Sequence, residues 1–399
     1  MLIGVGLNSI GNGLTLSLLL VYLGQIRGIS PDRSTLLLSW MAVLGLLLTG
    51  VVGAIVDKVG PRPVLLVGLV IEAIGVGLWG QVTNFSQALI VASIVAVGGS
   101  AVWPPQTALI ARLAPTEHRQ RVYGLNFMLL NAGLGMGGLV GALLIIENDA
   151  ASFERLYLVN AMSYVTYFVV ALSLKGVGGR IERDPDDEKP VGGYREVFAD
   201  GRLVRLAGGG LLLLICGYAS VEAGLSVFAT TYVDLSPKWL GVIFGVNTFT
   251  IVGLQAYVLK KMVNRSRTRL MGLVGILWSV SWLVIALSIQ TRELTAIFLL
   301  CLSQFIFAIG EMLWAPIAPA IANELAPDHL RGRYNAMISL QWGLASSVGP
   351  LIAGITLGRG HPYAWTLLLA AGSVGAAFVM ISLRKHLTAQ QDGRDSVAA

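Results

Sequence analysis

Three carboxylates stand inside long apolar runs of this 399-residue chain: Glu72, Glu222 and Glu311. An acid at membrane depth is costly and is a functional candidate by default, because it must face an interior or a water-filled path. The chemistry open to such a group is to load and release protons, or to attract a cation. Its structural alternative is a hydrogen-bonded glutamate that only joins helices. Amides fall in the same kind of run: Asn8, Asn12, Asn126, Asn247 and Gln341. They are candidate polar contacts for a ligand, or bridges between helices. Tyr218, Trp314, Trp40 and Trp342 offer aromatic faces to a flat lipophilic cation, although tryptophans near helix ends also anchor at membrane interfaces. No phosphate-binding glycine loop, metal-ligand cluster or nucleophile triad accompanies them, so neither an enzyme nor an ATP-driven machine is expected, and no cofactor or metal.

The elements that hold these residues follow from composition. Hydrophobic residues make up 55% of the chain and charged residues 13%, against about 25% charged in a soluble domain. Its 48 glycines suit close helix packing in a bilayer. The net charge of +6 does not point to nucleic acid, since the basic residues lie in loops between apolar runs. Cys216 and Cys301 lie inside such runs, so no disulfide framework is expected.

The chain repeats itself. Trp103 matches Trp314 and Ile110 matches Ile321 at an offset of 211; Pro115, Arg119, Arg121 and Gly137 then match Pro327, Arg331, Arg333 and Gly349 at 212. Each copy is an apolar run, an Ala-Pro turn with an acid and two arginines, then a run rich in small residues. Two like halves with the basic turn on the same side form a parallel repeat. Spanning helices are expected at 2–24, 36–56, 64–82, 87–112, 122–146, 155–174, 204–232, 238–259, 269–289, 294–322, 334–357 and 363–383. The first run is read as a spanning helix rather than a signal peptide. The domains are thus an N-terminal six-helix bundle (1–174), a polar linker (175–202), a C-terminal six-helix bundle (203–385) and a tail (386–399). Glu222 and Glu311 each lie within about 6 Å of the middle of their helices at 1.5 Å per residue.

Loop charge sets orientation. With both termini in the cytoplasm, the inner side holds Lys58, Arg62, Arg112, Arg119, Arg121, Lys260, Lys261, Arg265, Arg267, Arg269, Arg331, Arg333, Arg384 and Lys385. The outer side holds only Arg27, Arg33, Arg155, Lys238, Arg292 and Arg359. A multi-pass membrane protein with both termini in the cytoplasm is expected.

Between the second and third helices stands Gly53-Ala-Ile-Val-Asp57-Lys58-Val-Gly60-Pro61-Arg62-Pro63. An acid at a helix C-terminus opposes the dipole unless a partner compensates, so Asp57 could pair in one conformation and release in another. Its plain alternative is a basic inner loop that marks topology. This Gly-x-x-x-Asp-Lys-x-Gly-x-Arg loop, within twelve helices as six plus six, resembles the major facilitator superfamily over essentially the whole chain. In that family the loop stabilises the outward-facing state, which implies a switch role for Gly53, Asp57, Gly60 and Arg62; Pro61 and Pro63 depart from the usual arginine-rich ending. The equivalent loop, Lys260 to Arg269, has no acid.

Gly133, Gly137 and Gly141 recur every four residues and make a small-residue packing face. Gly133-Leu-Gly-Met-Gly137-Gly138-Leu-Val-Gly141 is also similar to the antiporter motif of drug exporters in that superfamily, with Gly138 in place of its proline; Gly349-Pro350 keeps a Gly-Pro pair in the other half. The arginine that helix 4 of such exporters often carries is absent, for Ile90 to Trp103 has no charge. The resemblance implies that helices 1, 4, 7 and 10 line a central cavity, which makes Glu222 and Glu311 cavity acids and puts Glu72 on a peripheral helix. The expected function is export of lipophilic drugs or toxic compounds, cationic ones among them, across a bacterial inner membrane by proton antiport and alternating access. The expected partners are a small-molecule substrate, protons and the bilayer, with no nucleic acid and a monomer as the working unit. A transporter of a sugar or other polar metabolite, and a non-transporting membrane receptor or scaffold, are the alternatives.

Overall fold

The computed structural model describes residues 1–16, 18–146, 149–174, 176–179, 193–236 and 238–394. The acidic run 180–189 of the expected linker and the last five residues of the expected tail lie outside these. Of the linker, Tyr194–Ala199 forms a short helix. Twelve helices are long and apolar enough to cross a membrane. In chain order α1 to α12, they are Leu2–Ile26, Leu36–Val59, Pro61–Trp79, Phe85–Leu113, Thr116–Gly141, Ala150–Ser173, Gly201–Tyr232, Trp239–Met262, Arg267–Leu287, Glu293–Leu325, Asp328–Arg359 and Pro362–His386. Among the described residues there is no strand. Outward faces carry large apolar side chains such as Leu47, Phe249 and Phe378 at 68–72% exposure. Such a surface suits lipid, and helices satisfy every backbone group within the bilayer.

Local chemistry sets the helix ends. Gly60 has φ +93°, a conformation other residues rarely adopt, and Pro61 opens α3 directly after it. The turn from α2 to α3 is therefore a single residue, and α3 starts earlier than the expected 64. Asn84 caps α4 by accepting from the Gln87 N–H at 3.0 Å. The run expected as one helix over 87–112 is two, Phe85–Ser100 and Trp103–Leu113. Adjacent Pro104 and Pro105 remove two consecutive N–H donors, so a new helix must begin there. The matching α10 carries Pro316 and Pro319 apart and stays unbroken. Two π-turns, Ile215–Ala219 and Phe228–Tyr232, interrupt α7 on either side of Glu222.

The described chain divides into two compact units, Met1–Tyr194 with Ala326–Leu340, and Arg195–Leu325 with Gln341–Ala399. The start of α11 thus belongs to the first unit and the rest of it to the second. In the first unit α1 packs on α5 and α6, α3 on α6 and α4, and α2 on α4. In the second α9 packs on α12 and α10, α8 on α10, and α7 on α12. The pairs α3–α6, α3–α4 and α2–α4 recur as α9–α12, α9–α10 and α8–α10. The first core gathers Tyr22, Leu23, Leu65, Leu69 and Tyr167. Fully buried Trp278, Trp282 and Trp365 fill the second. Two of these indoles find carbonyl acceptors, Trp278 at Phe307 (3.1 Å) and Trp282 at Cys216 (2.6 Å), as buried indoles usually do.

Candidate functional site

Of the two candidate acids in the second unit, Glu311 sits in a built polar setting. Glu311 on α10 is 5% exposed. Its Oε2 accepts from Asn247 Nδ2 of α8 at 2.5 Å, and Tyr218 of α7 lies beside the same carboxyl group. The Tyr218 ring leans on Trp342 (4.8 Å between centroids), Trp278 (5.5 Å) and Phe307 (5.8 Å). An acid, an amide and four aromatic rings therefore meet through Tyr218, with Trp342 43% exposed at its edge. Gln341 is buried, and neither of its amide atoms has a hydrogen-bond partner. It crowds Gly210 of α7 together with Trp314: a Cβ there would come 2.5 Å from Gln341 Oε1 and 2.8 Å from the indole. Glu222, one turn beyond Tyr218 on α7, is exposed and makes no hydrogen bond or ion pair among the described residues.

The other candidates lie elsewhere. Asn8 and Asn12 belong to a chain of bonds that joins α1 to α6. Tyr164 OH donates to Asn12 (2.9 Å), Asn12 to Asn8 (3.3 Å) and Asn8 to Ser163 (3.1 Å), while Asn160 donates to Thr15 (2.7 Å). In this arrangement both amides bridge helices. Asn126 on α5 is half-buried with its Oδ1 unpartnered. Glu72 on α3 is 5% exposed, and its Oε2 has no partner. It fits against α4 because Gly98 and Gly99 lack side chains: a Cβ on Gly98 would lie 2.8 Å from Glu72 Cγ. Trp40 donates to Ser93 of α4 at 2.8 Å and does not join the aromatic group.

In the first unit the Asp57 carboxylate accepts from the N–H groups of Gly332 (2.5 Å) and Arg333 (3.3 Å) and from Arg333 Nη1 (3.1 Å). Its side chain is 2% exposed and that of Arg333 8%. An acid misplaced at the end of its own helix thus sits at the first turn of the helix Arg331–Thr356, where N–H groups lack intrahelical acceptors. Gly53 allows the approach, since a Cβ would come 2.5 Å from Ala336 Cβ. Arg62 turns the other way and caps α6, donating to the carbonyls of Ala171 (3.1 Å) and Leu172 (2.6 Å). Sequence reasoning did not find Gly332 and Arg333 as partners of Asp57. The signal was there, for Arg333 is the repeat counterpart of Arg121, but spacing alone cannot say which turn an acid reaches.

The glycine face also has its partners. Gly137 packs where α5 crosses α1, a Cβ there lying 2.9 Å from Gly13 Cα; Gly141 meets Leu14 and Gly133 meets Ser9. Gly349 repeats this in the second unit, where a Cβ would lie 2.7 Å from Ala219 of α7. Pro350 follows inside the α11 helix. Gly13 is a packing residue that the sequence did not single out.

The sequence model of the Major Facilitator Superfamily matches residues 1–301 and 240–397. The chain belongs to the major facilitator superfamily. As a member of it, the protein is a multi-pass membrane transporter that binds a small-molecule substrate. Similar proteins include the multidrug resistance protein MdtH of Proteus mirabilis (strain HI4320), 25% identical over 304 residues, with 74% of this chain and 71% of the relative covered. Another is the quinolone resistance protein NorA of Staphylococcus aureus (strain MRSA252), 23% identical over 360 residues, with 86% of each chain covered. The fold is shared with a bacterial homologue of the iron transporter ferroportin, solved in an outward-facing state: TM-score 0.80, 16% identity, 96% of this chain and 98% of that one. It is also shared with the human organic anion transporter MFSD10, with a TM-score of 0.71, 16% identity and 95% and 97% covered.

Proposed function

We propose that this transporter exports lipophilic, cation-bearing compounds across a bacterial inner membrane by proton antiport. It would work as a monomer with both termini in the cytoplasm, its six-helix halves 1–174 and 203–385 alternating in access. The carrying observation is Glu311, bonded to Asn247 beside Tyr218, whose ring packs on Trp342, Trp278 and Phe307. A carboxyl that keeps a proton in this setting gives it up when a cation takes its place, and two ligands that disfavour each other do so reciprocally. Aromatic faces next to the acid favour a flat cation. Glu222 lies outside that hydrogen-bonded group and suits an earlier, weaker attraction of positive charge. The resistance proteins MdtH and NorA among its relatives agree with a drug as substrate. Asp57 with Gly53, Gly60 and Arg62 is the conformational switch in this reading, and Glu72 is a helix-packing acid.

Two measurements test this. Expression in a pump-deficient host should raise tolerance to cationic toxic compounds, and ethidium added to vesicles carrying the protein should evoke proton movement. Flux without proton movement would remove the antiport step, and unchanged tolerance across a broad panel would remove drug export. Gln341, a buried amide with no partner, favours transport of a polar metabolite as the second reading. That reading predicts uptake or efflux of an uncharged hydroxylated solute and no ethidium flux.

A further inference from the structure

The loop between α8 and α9 is crowded with cations, Lys260, Lys261, Arg265, Arg267 and Arg269, and has no acid of its own. A carboxylate nevertheless sits within it, and it comes from the tail. Asp392 is fully buried. It accepts from Ser266 Oγ (2.7 Å), Thr268 Oγ1 (2.8 Å) and the Thr268 N–H (2.9 Å), at the first turn of the 21-residue helix α9. Arg394 Nε lies 2.8 Å and Arg384 Nε 3.8 Å from the same carboxylate. The Asp392 carbonyl accepts from the Arg267 N–H at 2.9 Å. Arg267 Nη1 then donates both to the Gln391 carbonyl (2.9 Å) and to Glu324 near the end of α10 (2.8 Å). One tail turn thus fastens the α8–α9 loop and α10 together.

The turn is written into the sequence. Thr388 and Gln391 form a reciprocal capping pair: the Gln391 side chain accepts from the Thr388 N–H (3.1 Å) and the Thr388 hydroxyl from the Gln391 N–H (3.2 Å). Gly393 closes the turn at φ +72°. Leu387, 7% exposed, anchors its start. The described residues of the first repeat form a counterpart through backbone carbonyls. After α6, the carbonyl of Gly178 accepts from the Arg62 N–H (2.9 Å) and that of Gly179 from Arg112 Nη1 (2.6 Å). In both units the segment after the sixth helix folds back on the loop between the second and third. Among the described residues, the returning segment of the first unit meets the loop that owns an acid through carbonyls, and that of the second brings Asp392 to the loop that owns none.

We propose that Thr388–Arg394 is a latch on the second unit, in which Asp392 holds the α8–α9 loop in register with α10 and so supports the maximal rate of transport. The latch does not depend on which substrate is carried. The test uses the full chain in nanodiscs and in proteoliposomes, with Asp392→Asn, Asp392→Glu, a chain ending at Leu387, and Gln390→Ala as an exposed control within the tail. Amide exchange at Arg267 and Thr268 should quicken at least tenfold in Asp392→Asn and in the shortened chain, and not in Gln390→Ala. Maximal ethidium flux should fall at least threefold in the same two variants, with half-saturation unchanged within twofold. Asp392→Glu, which keeps the charge, should stay within threefold of wild type. Exchange at wild-type rates in Asp392→Asn and in the shortened chain overturns the latch. So does faster exchange with unchanged or increased flux. A wild-type chain that moves no ethidium defeats the export reading alone, and amide exchange then decides the latch.

Discussion

Replacing Asp57 by asparagine separates a switch from a topology signal. The substitution keeps shape and one acceptor oxygen but removes the charge and turns an NH₂ toward Arg333. Three donors face the carboxylate: two first-turn N–H groups of α11 and a guanidinium at 3.1 Å. A hydrogen bond to a charged group contributes about 1.5–3 kcal/mol. Breaking a buried ion pair costs about 3–5 kcal/mol, because the remaining charge is left without a partner. Arg333 also lies over the Tyr194 ring, 5.7 Å from its centroid, which softens that loss. The net cost is therefore about 2–3 kcal/mol, or about 30- to 150-fold in the population of this arrangement at tenfold per 1.4 kcal/mol. Amide exchange at Gly332 and Arg333 should quicken by up to that factor. If Asp57 is the proposed switch, maximal ethidium flux should fall while ethidium affinity holds, because such a residue biases states without touching substrate. Wild-type exchange at both amides, with wild-type flux in a correctly inserted Asp57→Asn protein, would refute the reasoning and leave the loop a topology signal.

Glu311→Gln should abolish uphill export yet retain drug binding, with the pH dependence of binding gone; proton-coupled export at the wild-type rate would eliminate it as the coupling site. Glu222→Gln should weaken cationic substrates severalfold more than neutral ones, read as paired half-saturation values, and an equal effect on both would exclude a charge role. Gly137→Ala should lower stability by about 1–3 kcal/mol through overpacking against α1. Gly138→Ala, whose Cβ would meet its nearest neighbour at 3.8 Å, should melt as wild type in detergent, and equal melting of the two would sink the crossing-point account. A reporter active only in the cytoplasm should work when fused after Lys189 or Arg394 and be silent at Asn84 and Arg292; activity at all four contradicts the orientation.

The twelve spans and their pairing into two repeats were legible because apolar runs near 20 residues carry strong information about a bilayer. The glycine face on α5 was legible from its period of four. Its partner Gly13 was not, because nothing local distinguishes a glycine at a crossing from one that only tolerates lipid. Asp57 stood out as an acid at the wrong end of a helix; that Gly332 and Arg333 receive it depends on packing between residues 275 positions apart. Asn8 and Asn12 were legible as polar and one turn apart, while only tertiary contact decides that their amides face Ser163 and Tyr164. The break in α4 was readable in principle from Pro104-Pro105 and was outweighed by the continuous apolar run. Asp392 carried no signal at all. An acid in a polar tail looks the same whether water or an N-terminal helix turn solvates it.

Duplication explains the scaffold, and the two copies differ in charge at two places. At the offset of 211 that aligns Trp103 with Trp314, Glu311 falls on Ser100. Ser100 is buried and spends its hydroxyl on the Val97 carbonyl of its own helix at 2.7 Å. The first repeat therefore has a self-satisfied serine where the second has an acid bonded to Asn247 of a neighbouring helix. The loops diverge in the opposite sense, for the first keeps Asp57 and the second depends on the tail. Both differences are of charge, and neither disturbs the helix pairs that recur in the two units. A transporter with a carboxylate at matched depth in both repeats would have two equivalent places to exchange a proton for a cation. Among the described residues Glu311 is bonded at that depth and Ser100 offers no carboxylate; in the antiport proposed above, proton coupling and cation binding would therefore converge on Glu311, leaving the first repeat to serve the conformational change through Asp57.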